Sequence, residues 1–497
     1  MQAVPVATLA LAPLLAVMGP RKTAEILAAV QHARASLRGR TIWHVNSTAR
    51  GGGVAEMLQT MLAYERGAGL DVRWLVMDGD DAFFALTKRL HHRLHGEPGD
   101  DGTLGASERW HYEQITQHNH DTLAAAVKRG DVVVLHDPQT AGLAPRLREQ
   151  GATVLWRCHV GVDRVNAIAE EAWQFLKPYI EAAHTRIFTR AAYVPPSIAS
   201  LPVSVIPPAI DAISPKNQPL SAATVLVMLR HIGLLAGAVN GQRYRLPASF
   251  FTVNGSGARI LQTQPLPSPG TPLIAQISRW DPLKDMAGVM RGFASRCQQL
   301  GIAHLALVGP DPSAVADDIE GARVYDECVA QWHALPAQAR ERIHLVCLPM
   351  ANVEENALMV NALQRFATVV VQKSLHEGFG LTVTEALLKG RPVVASRVGG
   401  IQDQITDGVH GLLLDDPADA RAFVDAVARL LDDPVLAQRL ARNARRRAIA
   451  EFLAPRQMLQ MFDLIDGLTG PNSRTPRSRA HGAGRSRTPM PGGAIGP

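Results

Sequence analysis

Two glutamates flank a glycine-containing turn late in this 497-residue sequence. Glu377 ends a stretch with strand character, the turn Gly378-Phe379-Gly380 follows, and Glu385 lies about one turn into the helical pattern that comes next. Glycine lets the backbone approach a ligand closely, and carboxylates accept hydrogen bonds from sugar hydroxyls. The spacing predicts that the turn binds a phosphate group and that the glutamates bind hydroxyl groups on either side of it.

The start of the helix after the turn strengthens this prediction. Leu381 and Thr382 occupy the positions whose backbone N–H groups have no partner within a helix, and these groups attract anions. Glu377 would then contact a sugar-like group beside the phosphates, and Glu385 would contact a nucleotide ribose. The competing interpretation makes Glu377 a strand-end charge and Glu385 part of a solvated helix face.

Two cations and a second glycine-rich turn add to the pattern. In "QISRWDPLKD", Arg279 ends a predicted strand and Lys284 follows five residues later. Each charge-assisted hydrogen bond from such a cation to a diphosphate contributes about 1.5–3 kcal/mol. Gly51, Gly52 and Gly53 follow another predicted strand and open a helix, which predicts a second phosphate-binding turn. The glycines alone equally suit any tight turn.

Elements of two α/β domains must position these residues. Short apolar runs alternate with longer amphipathic stretches from residue 41, pause near a proline-rich segment at residues 206–220, and resume at residue 271. This alternation predicts two Rossmann-like parallel sheets. Within residues 221–270, "VLVMLRHIGLL" is compatible with a helix, and "ASFFTVNGSGARILQTQPLPSPG" shows no clear period. The predicted units are an N-terminal domain, a C-terminal domain, a helix that could pack back on the first domain, and a disordered tail: residues 1–210, 211–452, 453–469 and 470–497.

The charge distribution argues against nucleic-acid binding by the folded body. The net charge is +6, and the stretch from residue 471 onward holds five arginines and no acidic residue, so the rest of the chain is nearly neutral. That stretch is rich in Pro, Gly, Ser and Arg and has little to bury, which predicts disorder. Nucleic acid is therefore not an expected partner.

The composition predicts a cytoplasmic protein with no membrane partner. No apolar run reaches the length of a membrane span, and the apolar first twenty residues contain three prolines and no preceding Lys or Arg. We expect that segment to be a strand or arm on the first domain. The four cysteines form no CxxC pair, which indicates reduced thiols and no zinc site.

Taken together, these motifs resemble a known enzyme class. The two glutamates around the turn, the Arg279 and Lys284 pair, the glycine-rich loop and the two α/β domains look like retaining GT-B glycosyltransferases, in the family that includes glycogen and sucrose-phosphate synthases. More narrowly, the resemblance is to the trehalose glycosyltransferring synthases and is carried by "WHVNSTARGGGVAEML", "HDPQ", "WRCHVGVD", "IPPAIDAISPKN" and "EGFGLTVTEALLKGRPVV". It extends from about residue 41 to residue 468.

The resemblance implies a reaction and a GT-B fold with two Rossmann-like domains facing across a cleft. Glucose would pass from a nucleoside-diphosphate glucose to the anomeric hydroxyl of free glucose, giving α,α-trehalose with retained configuration, in a reaction described as reversible for this family. Arg279 and Lys284 would stabilise the leaving diphosphate. Glu377 would bind the donor glucose and Glu385 the ribose.

The resemblance also assigns roles in the N-terminal half. His159 matches the family histidine beside the reacting sugar, which acts partly through its main-chain carbonyl; the alternative is a buried structural histidine. Asn46, Asp137 and Gln139 are candidates for binding the acceptor. Retention in this class needs no carboxylate nucleophile, in contrast to glycoside hydrolases, so we expect no covalent glycosyl-enzyme.

Other assignments stay open on the sequence alone. A related transferase could glucosylate a sugar phosphate, although only Arg50 offers a cation near the first glycine-rich turn. An inactive nucleotide-sugar-binding protein is the alternative from another class, while a Rossmann dehydrogenase is disfavoured because no G-x-G-x-x-G follows an early strand. No cofactor is expected to be required; the sequence leaves open a magnesium ion and a homodimer.

Overall fold

The computed structural model describes residues 1–49, 53–237, 243–245, 250–252, 257–314 and 319–470. Within them the chain forms two seven-stranded, mostly parallel sheets with helices on their faces, which confirms the predicted α/β class. Gly51 and Gly52 of the first glycine-rich turn, with Arg50 beside them, lie outside the described residues. The predicted disordered tail lies outside them from residue 471 onward.

The N-terminal sheet has the strand order β1-β3-β2-β4-β5-β6-β7, and all neighbours are parallel except β1 and β3. Its central strands are buried on both faces, which explains their continuous apolar runs. The strands are β1 (Gln2–Val4), β2 (Ile42–Asn46), β3 (Val72–Val76), β4 (Val132–His136), β5 (Thr153–Cys158), β6 (Thr185–Phe188) and β7 (Val203–Val205).

The C-terminal sheet has the order β10-β13-β12-β11-β14-β15-β16 and is parallel except between β10 and β13. A separate antiparallel hairpin, β8 and β9, precedes it. The strands are β8 (Arg243–Arg245), β9 (Phe250–Thr252), β10 (Arg259–Leu261), β11 (Leu273–Ile277), β12 (His304–Pro310), β13 (Ile343–Leu348), β14 (Val369–Gln372), β15 (Val393–Ser396) and β16 (Leu412–Leu414).

Helices cover both sheets and continue past the last strand. They are α1 (Ala12–Leu15), α2 (Pro20–Ser36), α3 (Gly53–Gly67), α4 (Asp81–Leu94), α5 (Ala106–Ala124), α6 (Asp137–Thr140), α7 (Ala144–Glu149), α8 (Ala167–Ile180), α9 (Ala222–Ile232), α10 (Met286–Ser295), α11 (Ile319–Ala334), α12 (Ala337–Arg340), α13 (Val353–Phe366), α14 (Leu381–Leu388), α15 (Ile401–Gln404), α16 (Ala420–Asp432), α17 (Pro434–Glu451) and α18 (Ala454–Thr469).

The strand orders determine where a ligand can bind. In the first sheet the direction of winding reverses between β2 and β4, and in the second it reverses between β11 and β14. Doubly wound sheets bind ligands beyond the carboxyl ends of the strands at such a switch point. Arg279 and Lys284 follow β11, and Glu377 follows β14, so the predicted donor site lies at the second switch point.

Several elements differ from or extend the sequence expectations. The first residues form β1, which pairs antiparallel with β3, so this sheet is not wholly parallel as predicted. The poorly patterned region contains α9, which ends at Gly233 in a left-handed conformation (φ 95°). The final helix α18 packs against α2 and α3 of the N-terminal half. No helix in the described ranges has the length and apolarity needed to cross a membrane.

Candidate active site

A bidentate ion pair joins two of the predicted site residues. Lys284 Nζ donates to Glu377 Oε1 at 2.9 Å and to Oε2 at 2.8 Å, and the two side chains are 15% and 12% exposed. Ser374 Oγ donates to Oε2 of the same carboxylate at 3.1 Å. Glu377 is therefore held in one orientation at the carboxyl end of β14, and Ser374 is a site residue that sequence reasoning missed.

The position of Lys284 follows from its local structure. A short 3₁₀ turn (Pro282–Lys284) is capped by Asp281, whose side chain accepts from Leu283 N at 2.8 Å. Gln276 in β11 donates to the carbonyl of Lys284 at 2.6 Å. The loop after β11 thus has fixed hydrogen bonds of its own, which direct the lysine toward β14.

Arg279 does not join this pair in the structure. Its side chain is 68% exposed, and Nη2 donates to Asp281 Oδ2 at 3.2 Å. An exposed ion pair of this kind contributes little to stability. Arg279 is therefore an exposed cation just after β11, and its one ion pair among the described residues is with Asp281.

The glycine turn is held from two sides. Gly380 has φ 84° and forms the N-cap of α14, and Gln404 Nε2 donates to the carbonyls of Phe379 at 2.5 Å and Gly380 at 3.3 Å. A Cβ on Gly378 would lie 3.7 Å from the carbonyl oxygen of His159. The turn therefore lies against the N-terminal half at the residue that the resemblance implicates in catalysis.

Two helix N-termini face one another across the same cleft. α14 begins at Leu381 and α3 begins at Gly53, and a Cβ on Gly53 would lie 3.8 Å from Leu381 Cδ1. Thr382 is the next residue of α14 and is half-buried. Each helix start offers backbone N–H groups and the positive end of a helix dipole, so the gap favours an anion such as a diphosphate.

Glu385 is buried, so the alternative of a solvated helix face is wrong. Its residue exposure is 6%, and Oε2 accepts from Gln364 Nε2 at 3.2 Å. Lys216 Nζ lies 3.9 Å from Oε1 and donates to Glu56 of α3 at 2.6 Å. Lys216, in the segment that links the two halves, thus lies between carboxylates of both halves. Apart from the "SPKN" string, nothing in the sequence pointed to this residue.

His159 and Asp137 form one unit in the N-terminal half. The backbone N–H of His159 donates to Asp137 Oδ1 at 2.8 Å, and the carbonyl of Asp137 accepts from Trp156 Nε1 at 3.0 Å. Asp137 has φ 63°, which is rare for a residue other than glycine. Burial raises the pKa of its carboxyl to about 7, against the lowering effect of the His159 hydrogen bond. The carboxyl of Asp137 thus positions the backbone of His159.

The other two acceptor candidates differ in whether their side chains already have hydrogen-bond partners. Asn46 is buried, donates to the Thr48 carbonyl at 2.7 Å and accepts from Trp74 Nε1 at 2.8 Å. Gln139 carries a buried Oε1 that has no hydrogen-bond partner among the described residues. Gln139 therefore has an unsatisfied buried oxygen, and Asn46 supports the loop after β2.

Contacts that the sequence did not reveal join the two halves at the turn. Tyr193 OH lies 2.9 Å from the carbonyl of Glu377 and 2.7 Å from that of Gly378. Arg190 forms an ion pair with Asp163 and donates a hydrogen bond to the Gly399 carbonyl at 2.6 Å. It forms a second ion pair, with Asp403, beside the same turn. "WRCHVGVD" included Asp163, but no local pattern identified Tyr193 or Arg190, because the backbone carbonyls to which they donate are more than 180 residues away.

The described residues include no group of three or more His, Cys, Asp and Glu placed to hold a metal ion. The four cysteines are buried free thiols. Burial lowers the pKa values of His91 in α4 to about 3 and of His95, just after α4, to about 4.

Comparison with known protein families gives two matches along the chain. A model described as "Trehalose synthase, N-terminal domain" matches residues 44–195, and one described as "Glycosyl transferases group 1" matches residues 263–447. The first match contains the end of β2, all of β4 and β5, and His159. The second contains Arg279, Lys284 and the whole glutamate-flanked turn.

Curated relatives match most of the chain. A trehalose synthase of Rubrobacter xylanophilus is 35% identical over 453 residues, which is 90% of this chain and 95% of the relative. A trehalose synthase of Pyrococcus horikoshii is 30% identical over 446 residues, covering 90% and 94% respectively. A trehalose phosphorylase of Grifola frondosa is 27% identical over 421 residues, 80% of this chain but only 53% of the relative.

Solved structures share the fold at low identity. The trehalose-6-phosphate synthase OtsA aligns with a TM-score of 0.63 and 12% identity, covering 86% of this chain and 99% of that chain. A sucrose-phosphate synthase from Thermosynechococcus elongatus aligns with a TM-score of 0.59 and 19% identity, with the same two coverages. These likenesses support the GT-B arrangement of two α/β halves around a cleft.

Proposed function

Because this chain belongs to the trehalose synthase family of GT-B glycosyltransferases, we propose that it transfers glucose from a nucleoside-diphosphate glucose to free glucose and forms α,α-trehalose. The observation that carries the proposal is the convergence of three features on the cleft: the Lys284 and Glu377 pair, the N-terminus of α14, and the carbonyl of His159 beside Gly378. Together they supply a cation, an anion-binding helix end and hydroxyl acceptors.

The proposed roles follow the positions of these groups. The diphosphate lies between the N-termini of α14 and α3, where N–H groups from both helices neutralise it. Lys284 and the exposed Arg279 stabilise the charge that develops as the diphosphate leaves. Glu377 accepts hydrogen bonds from donor hydroxyls and Glu385 from the ribose.

Bond making and breaking balance within the two substrates. The bond from C1 of the donor glucose to the diphosphate oxygen breaks, and a bond from C1 to the anomeric oxygen of the acceptor forms on the same face. The acceptor hydroxyl proton passes to a diphosphate oxygen. No carboxylate acts as a nucleophile in this proposal. The carboxylate of Asp137 already accepts a hydrogen bond from the backbone N–H of His159, which supports a structural role for it.

Neutral glucose suits the acceptor side better than a sugar phosphate. Asp137 and Gln139 lie in the N-terminal half near His159, and His91 of α4 and His95 just after it have pKa values far below neutral. Neutral imidazoles offer little charge to a phosphate. Among solved structures of this fold, one is described as a complex with UDP and glucose and another as a complex with glucose-6-phosphate.

Product analysis tests the proposal directly. Purified protein is incubated with glucose and, in separate reactions, ADP-, UDP- or GDP-glucose, and products are treated with trehalase. A non-reducing disaccharide that trehalase cleaves is the expected result, with the Glu377→Gln protein as a negative control. Parallel reactions hold maltose alone, glucose-1-phosphate with glucose, and a nucleotide sugar with glucose-6-phosphate. Trehalose made from maltose alone, or glucosylation of the sugar phosphate only, would overturn the proposed substrates. An EDTA arm tests whether a divalent ion is needed.

A further inference from the structure

Three histidines, of which two are buried and the third is half-buried, form a hydrogen-bonded line across the N-terminal sheet. His44 Nδ1 lies 3.0 Å from His136 Nε2, and His136 Nδ1 lies 3.0 Å from His159 Nε2. The ring centroids are 5.3 Å apart at both steps, with interplanar angles of 26° and 12°. His44 is 3% exposed and His136 is 1% exposed. The line therefore connects the interior of the sheet to the residue at the cleft.

The strand register produces this line. His44 in β2 pairs with Val134 in β4, and His136 lies two residues further along β4 on the same face. His136 in turn pairs with Arg157 in β5, and His159 follows two residues later. Each step moves one strand across the sheet and two residues toward its carboxyl edge. A parallel sheet thus carries the imidazoles diagonally to the cleft.

The two ends of the line differ in chemistry. At the inner end, Glu65 of α3 is 2% exposed, and its Oε2 lies 3.8 Å from His44 Nε2 with no hydrogen-bond partner in the described part of the chain. A buried carboxyl needs a partner, and His44 Nε2 is placed to serve, directly or through a water. At the outer end, the carbonyl of His159 borders Gly378. Nδ1 of His159 has no partner among the residues that the structure describes.

Counting hydrogens shows that this line of three histidines has only two neutral states. A neutral imidazole carries one N–H and one lone pair, and each N···N contact holds one hydrogen. All three rings must therefore be Nδ1–H or all must be Nε2–H. In the first state His159 presents N–H to the cleft and His44 presents a lone pair to Glu65. In the second state His159 presents a lone pair to the cleft and His44 presents N–H to Glu65.

We propose that Glu65, acting through His44 and His136, sets which ring nitrogen of His159 carries the proton, so that His159 presents Nδ1–H to an oxygen of the bound sugar nucleotide. Glu65, His44 and His136 are positioning residues in this scheme, and His159 is the group that contacts the ligand. The identity of that ligand rests on the proposed function, whereas the tautomer does not. A protonated Glu65 carboxyl donates to His44 Nε2 and stabilises the Nδ1–H state throughout.

The electrostatics of the buried groups favour that state near neutral pH. Burial raises the pKa of Glu65 to about 8, partly offset by the positive charge of Arg157. Burial also lowers the pKa of His44 to about 3 and the pKa values of His136 and His159 well below their usual range, and Arg157 acts in the same direction. The charges that Arg157 itself faces are Arg456, Asp137 and Glu65. The histidines are thus neutral and Glu65 keeps its proton.

Loss of one proton converts all three histidines of the line from the Nδ1–H to the Nε2–H tautomer. When His159 Nδ1–H releases its proton at the cleft, His136 Nδ1–H passes its proton to His159 Nε2, and His44 Nδ1–H passes its proton to His136 Nε2. Glu65 then gives its proton to His44 Nε2 and becomes a carboxylate. Ionisation of Glu65 and loss of the donor at His159 are therefore one event, centred near pH 8.

Nitrogen NMR of the full chain labelled with ¹⁵N-histidine tests this directly. Ring nitrogens with and without a proton have clearly separated shifts, and the spectrum of the His159→Gln protein assigns the His159 signals. The expected result is Nδ1–H at His159 near neutral pH and Nε2–H above about pH 8. An Nε2–H tautomer at neutral pH would refute the proposal, and this measurement needs no substrate.

Activity with matched variants gives a second test. Glu65→Gln retains an N–H donor toward His44 at every pH, so its activity should stay near wild type at neutral pH and lose the alkaline decline. His136→Phe removes both hydrogen bonds and should lower kcat/KM about tenfold, the effect of roughly one hydrogen bond. The control is His304→Phe, from a second buried pair, His304 and His344, with the same 3.0 Å contact and 5.3 Å stacking.

The outcomes separate this inference from the proposed function. Equal losses in His136→Phe and His304→Phe, or an unchanged alkaline midpoint in Glu65→Gln, would show that the line is merely structural. A His159 tautomer that follows Glu65 while no nucleotide sugar is turned over would overturn the proposed substrates and leave the relay standing.

Discussion

Lys284 Nζ lies within 2.9 Å of both carboxylate oxygens of Glu377, although the two residues are 93 positions apart in sequence. The pair bridges the loop after β11 and the loop after β14, which are neighbouring strands at the switch point of the C-terminal sheet. It therefore fixes the position of a charge proposed to meet the diphosphate and of a carboxylate proposed to meet the sugar.

Replacing Lys284 should damage both stability and turnover. Lys284→Met leaves a largely buried carboxylate without its cation, which we expect to cost about 1–3 kcal/mol of unfolding free energy. Loss of the cation should lower kcat about 10²- to 10³-fold, as for other charge-stabilising groups. Urea unfolding and initial rates check the two effects. Lys177→Met, which removes an exposed i,i+4 pair, is the control; a wild-type rate in Lys284→Met would exclude the proposed role.

Replacing Arg279 should affect activity alone. Its side chain is largely exposed and pairs with Asp281 only weakly, so Arg279→Ala should change the unfolding free energy by less than about 0.5 kcal/mol. We expect a higher KM for the nucleotide sugar with an unchanged KM for glucose. Steady-state kinetics with each substrate varied in turn measures this, and an unchanged donor KM would remove Arg279 from the phosphate site.

Alanine substitutions at two glycines near the turn should have separate effects, one on stability and the other on donor binding. A Cβ on Gly399 would lie 1.6 Å from the Glu377 carbonyl oxygen, and Gly399 has φ 49°, so Gly399→Ala should destabilise the protein by about 3 kcal/mol or more. A Cβ on Gly378 meets only the His159 carbonyl at 3.7 Å. Gly378→Ala should therefore melt like wild type but bind the donor more weakly. Thermal unfolding with donor titration tests both, and equal melting temperatures would contradict the steric argument.

Removing one hydroxyl should loosen the contact between the two halves. Tyr193 OH bonds the carbonyls of Glu377 and Gly378, so Tyr193→Phe should cost about 0.5–1.5 kcal/mol. Because these carbonyls belong to the turn, we expect kcat/KM to fall more than that energy alone implies. Tyr179→Phe, which removes a hydroxyl bonded to Glu113 away from the cleft, is the control. Indistinguishable kinetics for the two variants would contradict the prediction.

Glu65 should make stability depend on pH with a defined sign. Its folded pKa of about 8 lies above the unfolded value of 4.5. Between these values the folded state keeps a proton that the unfolded state has lost, so the unfolding free energy falls as pH rises through this window. The contribution is fully present below about pH 4.5 and lost above about pH 8. Urea unfolding of wild type and Glu65→Gln across this range should show a shallower slope in the variant; parallel curves would refute the raised pKa.

The sequence by itself determined the fold class and the local structure of the Gly-Phe-Gly turn. Alternating apolar runs and helices predicted two α/β halves because strand and helix periods are local properties. The Gly-Phe-Gly turn could be predicted for the same reason, because a glycine N-cap and the helix that follows it depend on adjacent residues. The antiparallel pairing of β1 with β3 and the packing of α9 on α13 could not be predicted, because these partners lie far away in sequence.

Only the tertiary structure decided which side chains meet. It paired Lys284 with Glu377 and left Arg279 exposed, although the sequence treated the two cations alike. It aligned His44, His136 and Glu65 behind His159, which no spacing in the sequence suggests. Such contacts depend on strand order and register, and these are set by how whole elements pack, so residues from four separate segments converge on one cleft only after folding.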